Sequence, residues 1–188
     1  IKGEGNITST GIVIGTYGTV NIQGGNITTT NANVEESTAL YVFYYSSDFE
    51  GVANISGGRL NRVWNCGTLN ITGGIIDYLD TSSELTIGAD AEITTMIAKD
   101  GADAGGPYEM QIADINVIEN ITLEEGYILV EVGEDVYQVV PNNAEALIGT
   151  TSYSTLEYAI AAANADDDED EVVLLKDVTI ESKIDVTK

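Results

Sequence analysis

The motif that decides the fold is Thr68-Leu-Asn-Ile-Thr-Gly-Gly74, which recurs as Thr19-Val-Asn-Ile-Gln-Gly-Gly25 and Val52-Ala-Asn-Ile-Ser-Gly-Gly58. A degraded fourth copy is Glu84-Leu-Thr-Ile-Gly-Ala-Asp90. The isoleucines at the centre of the copies therefore occupy equivalent positions, 33, 16 and 16 residues apart: Ile22, Ile55, Ile71 and Ile87. A repeat this short is one layer of a stacked structure and cannot fold alone.

Each copy alternates apolar and polar residues, which is typical of a strand with one buried face. The Gly-Gly pair ends the strand where the chain turns or where backbones come close together. Because about 16 residues cannot hold a strand and a crossover helix, we expect each strand to pair with its counterpart in the next layer. The sequence thus predicts an all-β protein, a right-handed parallel β-helix with a core of stacked Ile, Val and Leu.

The 33-residue interval between Ile22 and Ile55 has two interpretations. It holds either one layer with an excursion or two layers of which one has lost the motif. Within it, Ala39-Leu-Tyr-Val-Phe-Tyr-Tyr45 is predicted to form a strand.

The second half of the chain changes character. Residues 97–107 are rich in Ala, Gly and Asp and are predicted to form a surface loop, and residues 110–123 return to strand-like alternation. Tyr127–Val132 and Val136–Val140 flank an acidic glycine turn and predict a hairpin that covers the open end of the solenoid. We therefore divide the chain into a β-helix (1–125), a hairpin cap (126–141), a linker (142–151) and the truncated start of a further β-helix module (152–188).

The last segment is predicted to begin with a short helix. Ser152 or Ser154 can cap it, with Glu157 completing a capping box, and an apolar face contains Leu156, Ala159, Ile160 and Ala163. Short strands are expected at Val172–Leu175 and around Val178, Ile180, Ile184 and Val186.

Charge and composition restrict the function. The chain of 188 residues has 31 acidic and 7 basic side chains, a net charge of −24 and no histidine. This balance argues against nucleic acids and anionic membranes as partners, because both require a cationic surface. No apolar run is long enough to span a membrane, and Cys66, the one cysteine, is expected to be a buried small side chain. Because the chain begins in mid-repeat without Met, we expect a piece of a longer protein.

Two stretches resemble a known group of proteins. Val63-Trp-Asn-Cys-Gly-Thr-Leu-Asn-Ile-Thr-Gly-Gly74 is similar to the tandem repeats of large secreted or wall-bound surface proteins of Firmicutes, particularly gut clostridia. Tyr153-Ser-Thr-Leu-Glu-Tyr-Ala-Ile-Ala-Ala-Ala163, followed by Val172-Val-Leu-Leu-Lys-Asp-Val-Thr179, resembles the opening of the pectate-lyase-like β-helix modules in the same proteins. The resemblance implies an extracellular or cell-surface location and a helix that caps the second module. It specifies architecture rather than activity.

Enzymes of this fold need clustered carboxylates. Asp77, Asp80 and Glu84 are the candidate catalytic set for a polysaccharide lyase or glycoside hydrolase, and they would have to converge in one groove. We favour instead a surface ion pair between Asp77 and Arg59 or Arg62 on the neighbouring layer, and hence no enzymatic activity.

We expect no cofactor. The alternative is calcium bound by the acidic run that includes Asp166, Asp167, Asp168 and Asp170, but this run lacks the ligand spacing and glycine of a calcium loop and is better explained as a solvated charge run.

Two features are candidates for recognition. The first is an aromatic cluster, with Tyr17 nearby, that would stack on sugar rings: Tyr41, Phe43, Tyr44, Tyr45 and Trp64. The second is an outward polar ladder suited to an extended glycan or peptide: Asn21, Asn54, Asn70, Thr72 and Thr86. The expected function is a non-enzymatic, adhesin-like stalk or glycan-binding scaffold, with a polysaccharide or host glycan as partner. A purely structural spacer, and self-association through an open end of the solenoid, are the alternatives left open.

Overall fold

The computed structural model describes residues 1–31, 37–46, 48–101, 107–165 and 170–180. These residues are mostly β-strand, as predicted. In the first half the strands are β1 (Asn6–Ser9), β2 (Ile14–Thr16), β3 (Thr19–Thr29), β4 (Leu40–Val42), β5 (Tyr44–Ser46), β6 (Phe49–Glu50), β7 (Val52–Leu60), β8 (Val63–Asn65) and β9 (Thr68–Thr81). They are followed by β10 (Leu85–Ile87), β11 (Ala91–Ala98), β12 (Met110–Ile112), β13 (Ile118–Leu123), β14 (Tyr127–Gly133), β15 (Val136–Pro141), β16 (Ala146–Ile148), β17 (Thr151–Tyr153), helix α1 (Leu156–Ala163) and β18 (Val172–Leu174).

Thirteen of these strands form one sheet in which nearly all pairs are parallel. The strand pairs form three ladders, each of which consists of equivalent strands from successive repeats. We number the ladders in the order of their strands along one repeat. Ladder 1 contains the residues before the Gly-Gly pair, and ladder 2 contains those immediately after it. Ladder 3 is formed by β2, β4, β8 and the ends of β9, β11 and β13.

The predicted equivalence of the repeated isoleucines is confirmed. Ile22 pairs with Ile55, Ile55 with Ile71 and Ile71 with Ile87, and the column continues to Ile112. Ladder 2 aligns Ile7, Ile27, Leu60, Ile76, Ile93 and Ile118 in the same way, and ladder 3 aligns Ile14, Leu40, Val63, Leu79, Met96 and Ile121. Most of these side chains are fully buried in one continuous core.

The 33-residue interval contains one layer with excursions, because Ile22 and Ile55 are direct partners. Leu40–Val42 supplies that layer's strand in ladder 3. The chain then leaves the stack through the antiparallel β5–β6 pair before it returns at Val52. The predicted strand at residues 39–45 is accordingly divided into β4 and β5.

The predicted hairpin is confirmed by the antiparallel pairing of β14 with β15. Strand β15 also pairs antiparallel with β12, so it covers the edge that β12 would otherwise expose. At the opposite end of the sheet, β1 and β2 each pair with one strand among the described residues. The part of the predicted loop that lies at residues 102–106 is outside the described residues.

The prediction was wrong in three details of the C-terminal segment. The predicted linker contains β16, which pairs with β17 and β18 in a separate three-stranded sheet. The cap of α1 is Thr155, whose hydroxyl accepts a hydrogen bond from Tyr158 N, whereas Ser152 is occupied in β17. Val178 and Ile180 lie outside any strand, and Ile184 and Val186 fall outside the described residues.

Glycine is required at the second position of each Gly-Gly turn. Gly25, Gly58 and Gly74 have φ values of +90°, +91° and +102°. A Cβ atom on Gly58 would lie 2.7 Å from the carbonyl oxygen of Gly25 in the neighbouring layer. The layers can therefore approach at ladder spacing only if this position has no side chain.

We predict that Gly58→Ala lowers the free energy of unfolding by about 3 kcal/mol or more, because backbone strain and a backbone clash add. Gly126→Ala is the matched control, since Gly126 has the same φ of +91° and no atom near its virtual Cβ. Gly126→Ala should lower the free energy of unfolding only by the cost of the backbone strain, about 1–2 kcal/mol. Urea unfolding of both variants measures the difference, and equal losses would contradict the close approach of successive layers.

Candidate functional site

Four aromatic rings form a stack across three successive layers on the outer side of ladder 3. The ring centroids are 4.4 Å apart for Tyr17 and Phe43, 3.8 Å for Phe43 and Tyr41, and 4.8 Å for Tyr41 and Trp64. Tyr41 and Trp64 are register partners, so the ladder itself sets their spacing. Gly15, the partner of Tyr41 in the preceding layer, leaves the space that the Phe43 ring fills, because a Cβ there would lie 2.7 Å from that ring.

This arrangement limits what the predicted aromatic cluster can bind. Phe43 and Tyr41 each have a ring stacked on both sides, and the ammonium group of Lys99 lies 5.8 Å from the centre of the Trp64 ring. A ring face covered by another ring cannot also stack on a ligand. Tyr41, Phe43 and Trp64 therefore stabilise the stacking of layers.

The ring faces that remain available belong to Tyr17, Tyr45 and Phe49. These side chains are 55%, 79% and 60% exposed. Together they line an open apolar depression beside the end of the stack, with a volume of about 340 Å³. We call this surface the aromatic depression.

The aromatic depression depends on the β5–β6 excursion, which carries Tyr45 and Phe49 on its two strands. Tyr44, another predicted contact residue, is register partner to Glu50 and is half-buried. Phe49 was not among the contact residues predicted from the sequence. The sequence could have indicated its exposure. Phe49 lies seven residues after Val42 within a run of polar and acidic residues, where a large apolar side chain has no core position to fill.

The three candidate catalytic carboxylates have different partners. Asp77 forms a two-contact ion pair with Arg59, at 2.6 Å and 3.3 Å, as the sequence predicted. Asp80 is 3.0 Å from the ammonium group of Lys99, and Glu84 accepts a hydrogen bond from the Thr68 hydroxyl at 3.2 Å. Arg62 donates to the backbone carbonyl of Ser37. Each carboxylate is thus held by a separate neighbour.

The predicted metal candidates fall mostly outside the described residues, since Asp166, Asp167 and Asp168 are not described. Asp170 is described and is exposed. Within the described ranges, no group of three His, Cys, Asp or Glu side chains is placed to hold a metal ion. Cys66 is buried and unpaired by disulfide, as expected, and its sulfur is 3.6 Å from the Ser82 hydroxyl.

The predicted polar ladder is present on the outer face of ladder 1. The side-chain amide of Asn54 donates to the carbonyl oxygen of the Asn21 side chain at 3.0 Å, and that of Asn70 donates to the Asn54 side chain at 2.9 Å. Thr86 and Gln111 follow at the equivalent positions of the next two layers. Thr72 instead lies in the turn and donates to the backbone carbonyl of Ile55.

A buried tyrosine borders this face. Tyr108 is 8% exposed, and its hydroxyl donates to the backbone carbonyl of Thr81 at 3.2 Å. Burial is the main cause that raises the pKa of Tyr108 far above its ordinary value of 10.0, and the nearby Asp80 carboxylate raises it further.

We predict that Tyr108 makes the protein less stable in strong alkali. Below pH 10 both the folded and the unfolded chain keep the proton, so the stabilisation is complete. Above pH 10 the unfolded chain loses it first, and the free energy of unfolding falls by up to about 1.4 kcal/mol per pH unit from this group. Tyr108→Phe should unfold with a shallower pH dependence between about pH 10 and 12. Identical slopes for the two proteins would contradict the burial of an ionisable hydroxyl here.

No family model, curated protein or solved structure matches this chain. None of the described helices has the length and apolar character needed to cross a membrane.

Proposed function

We propose that residues 1–125 form a right-handed parallel β-helix and that the chain is a non-enzymatic, glycan-binding segment of a bacterial secreted or cell-surface protein. The three ladders support the first part of this proposal. Each repeat contributes once to every ladder, and each strand pairs with its counterpart in the next repeat, from 16 residues along the chain (Ile71 with Ile87) to 33 (Ile22 with Ile55). A right-handed path is the hand that almost all parallel crossover connections take.

The C-terminal residues support a second module. β16, β17 and β18 pack against α1 around a small core of their own that includes Ala146, Leu156 and Ala159. This cluster is separate from the core of the three ladders. We infer that it is the start of a further unit, which would make the chain part of an extended, stalk-like array.

The observation that carries the glycan proposal is the aromatic depression. Exposed aromatic side chains are costly to leave in water, and three of them around one concavity indicate a contact surface. Sugar rings offer apolar C–H faces that stack on aromatic rings, while the tyrosine hydroxyl groups of Tyr17 and Tyr45 supply hydrogen bonds at the rim.

The negative charge of the chain restricts the class of glycan that we expect it to bind. The chain has a net charge of −24, and Asp48 and Glu50 lie in the same excursion as Tyr45 and Phe49. Like-charge repulsion disfavours uronic or sialic acids at such a surface. The proposed ligand is therefore a neutral polysaccharide.

We predict that the chain binds neutral polysaccharides in affinity electrophoresis or on a glycan array, equally with calcium and with chelator. Tyr45→Ala and Phe49→Ala should each weaken binding on the order of tenfold, because each removes one stacking face. Neither should lower the melting temperature appreciably, since both side chains are mostly exposed.

The matched control is Tyr158→Ala, which removes a tyrosine that is 65% exposed on α1. Its binding should equal that of the unmodified chain. The assignment of the site would be overturned if Tyr158→Ala lost as much affinity for the polysaccharide as Tyr45→Ala or Phe49→Ala. Full binding by the Tyr45→Ala, Phe49→Ala double variant would overturn it as well. No binding to any polysaccharide would favour the structural spacer.

A further inference from the structure

Phe43 contacts both walls of the aromatic depression without lining it. One wall is Tyr17, in the turn between β2 and β3, and the other is the β5–β6 excursion with Tyr45 and Phe49. The two walls come from different layers, so the local path of the chain does not set their relative position. Phe43, which lies between β4 and β5, connects them.

The ring of Phe43 supports the ring of Tyr17. The two rings are nearly parallel, with an interplanar angle of 14° and centroids 4.4 Å apart. The other face of Phe43 stacks on Tyr41 at 3.8 Å, so Phe43 cannot move away from Tyr17 without changing that contact as well. One face of Tyr17 is therefore covered, and a ligand can stack only on the opposite face.

The backbone around Tyr17 is held by Thr16. The buried Thr16 hydroxyl donates to the carbonyl oxygen of Gly18 at 2.6 Å and accepts from the Gly18 N–H at 3.1 Å. These two bonds fix the turn that has Tyr17 at its tip. The N–H of Phe43 donates to the carbonyl oxygen of Thr16 at 3.0 Å, so the backbone of Phe43 is bonded to the same turn.

The carbonyl group of Phe43 holds the second wall. It accepts a hydrogen bond from the N–H of Gly51 at 2.7 Å, and residues 43 and 51 flank β5 and β6. A Cβ atom on Gly51 would overlap the carbonyl oxygen of Thr16 and lie 3.0 Å from that of Phe43. The excursion therefore leaves and rejoins the stack at one point, packed closely against the turn of Tyr17.

We propose that Phe43 is the positioning residue of the glycan-binding site, an inference that rests on the proposed function. Its ring fixes the available face of Tyr17, and its peptide groups fix the base of the strands that carry Tyr45 and Phe49. The aromatic depression is thus formed before a ligand arrives. A preformed site binds more tightly, because little binding free energy is lost in ordering its side chains.

Gly15 offers a way to displace the Phe43 ring without removing it. A Cβ atom on Gly15 would lie 2.7 Å from Cε2 of Phe43, at the far end of that ring. Gly15 does not have a positive φ, so alanine is compatible with the backbone there. Gly15→Ala should therefore shift the Phe43 ring, and with it Tyr17, at a small cost in stability.

The first measurement needs no ligand and uses NMR of the chain with labelled tyrosine. Because they lie over the Phe43 ring, the ring protons of Tyr17 should resonate upfield of those of Tyr158, which is 65% exposed. Gly15→Ala and Phe43→Leu should each shift them toward the Tyr158 positions, whereas Phe43→Tyr, which keeps a ring, should not. Unchanged Tyr17 resonances in Gly15→Ala and Phe43→Leu would overturn the proposal.

The second measurement is affinity electrophoresis in three neutral polysaccharides: xyloglucan, galactomannan and mixed-linkage β-glucan. Gly15→Ala and Phe43→Leu should each weaken binding on the order of tenfold, and Phe43→Tyr should stay within about twofold of the unmodified chain. The Gly15→Ala, Phe43→Leu double variant should bind no more weakly than Phe43→Leu, because Gly15 acts only through the ring.

The matched control is Gly11→Ala, since a Cβ atom there has no other atom within 4 Å. Its affinity and its Tyr17 resonances should equal those of the unmodified chain. Full binding by Gly15→Ala despite shifted Tyr17 resonances would overturn the positioning role. Absence of polysaccharide binding by the unmodified chain would instead overturn the proposed function, while the Tyr17 resonances decide separately whether Phe43 orients that ring.

Discussion

The register between equivalent residues of successive repeats is the constraint on which the rest of the structure depends. Ile22, Ile55, Ile71, Ile87 and Ile112 form one column because each is the direct partner of the next. A slip of one residue would turn every one of these side chains to solvent. Since burial of one isoleucine contributes about 1.5–3 kcal/mol, the column strongly selects a single register. The glycine turns allow this register, because they permit the backbones of adjacent layers to approach.

The parts of the fold that depend on this register were predictable from the sequence. Ladder 1 and the start of ladder 2 could be predicted, because the alternation of apolar and polar residues and the Gly-Gly pair both recur along the sequence. Ladder 3 was not visible as a ladder, because its strands are only three residues long in β2, β4 and β8 and are reached through connections of different length. Strand β16 was also missed, and its residues were predicted to be a linker. It is three residues long, and its pairing with β17 and β18, rather than a local sequence pattern, makes it a strand.

The candidate site was predictable only in part of its composition, because Phe49 was missed, and it was not predictable in its geometry. The sequence indicated that Tyr41, Phe43, Tyr45 and Trp64 are near one another, yet it could not show which ring faces are covered. That outcome depends on the space left by Gly15 and on the register of Tyr41 with Trp64. The carboxylates Asp77 and Asp80 were similarly identified by type, while their separate partners Arg59 and Lys99 follow from which layers are adjacent.

The same stacking that builds the core also distributes surface chemistry. A residue type repeated at one position becomes a continuous row, as in the Asn21, Asn54 and Asn70 amide ladder. Excursions between layers add side chains that the core does not constrain, and the aromatic depression arises in this way. The proposed glycan-binding site is therefore a departure from the repeat rather than a product of it.

The most direct test of the central claim is a methyl-methyl NOE spectrum of the chain with selectively labelled isoleucine. Because the layers stack in sequence, Ile55 should show cross-peaks to Ile22 and Ile71, and Ile87 to Ile71 and Ile112. No cross-peak should join Ile22 directly to Ile87. A cross-peak that skips layers, or the absence of contact between Ile22 and Ile55 across the 33-residue interval, would contradict the stacking of repeats in register.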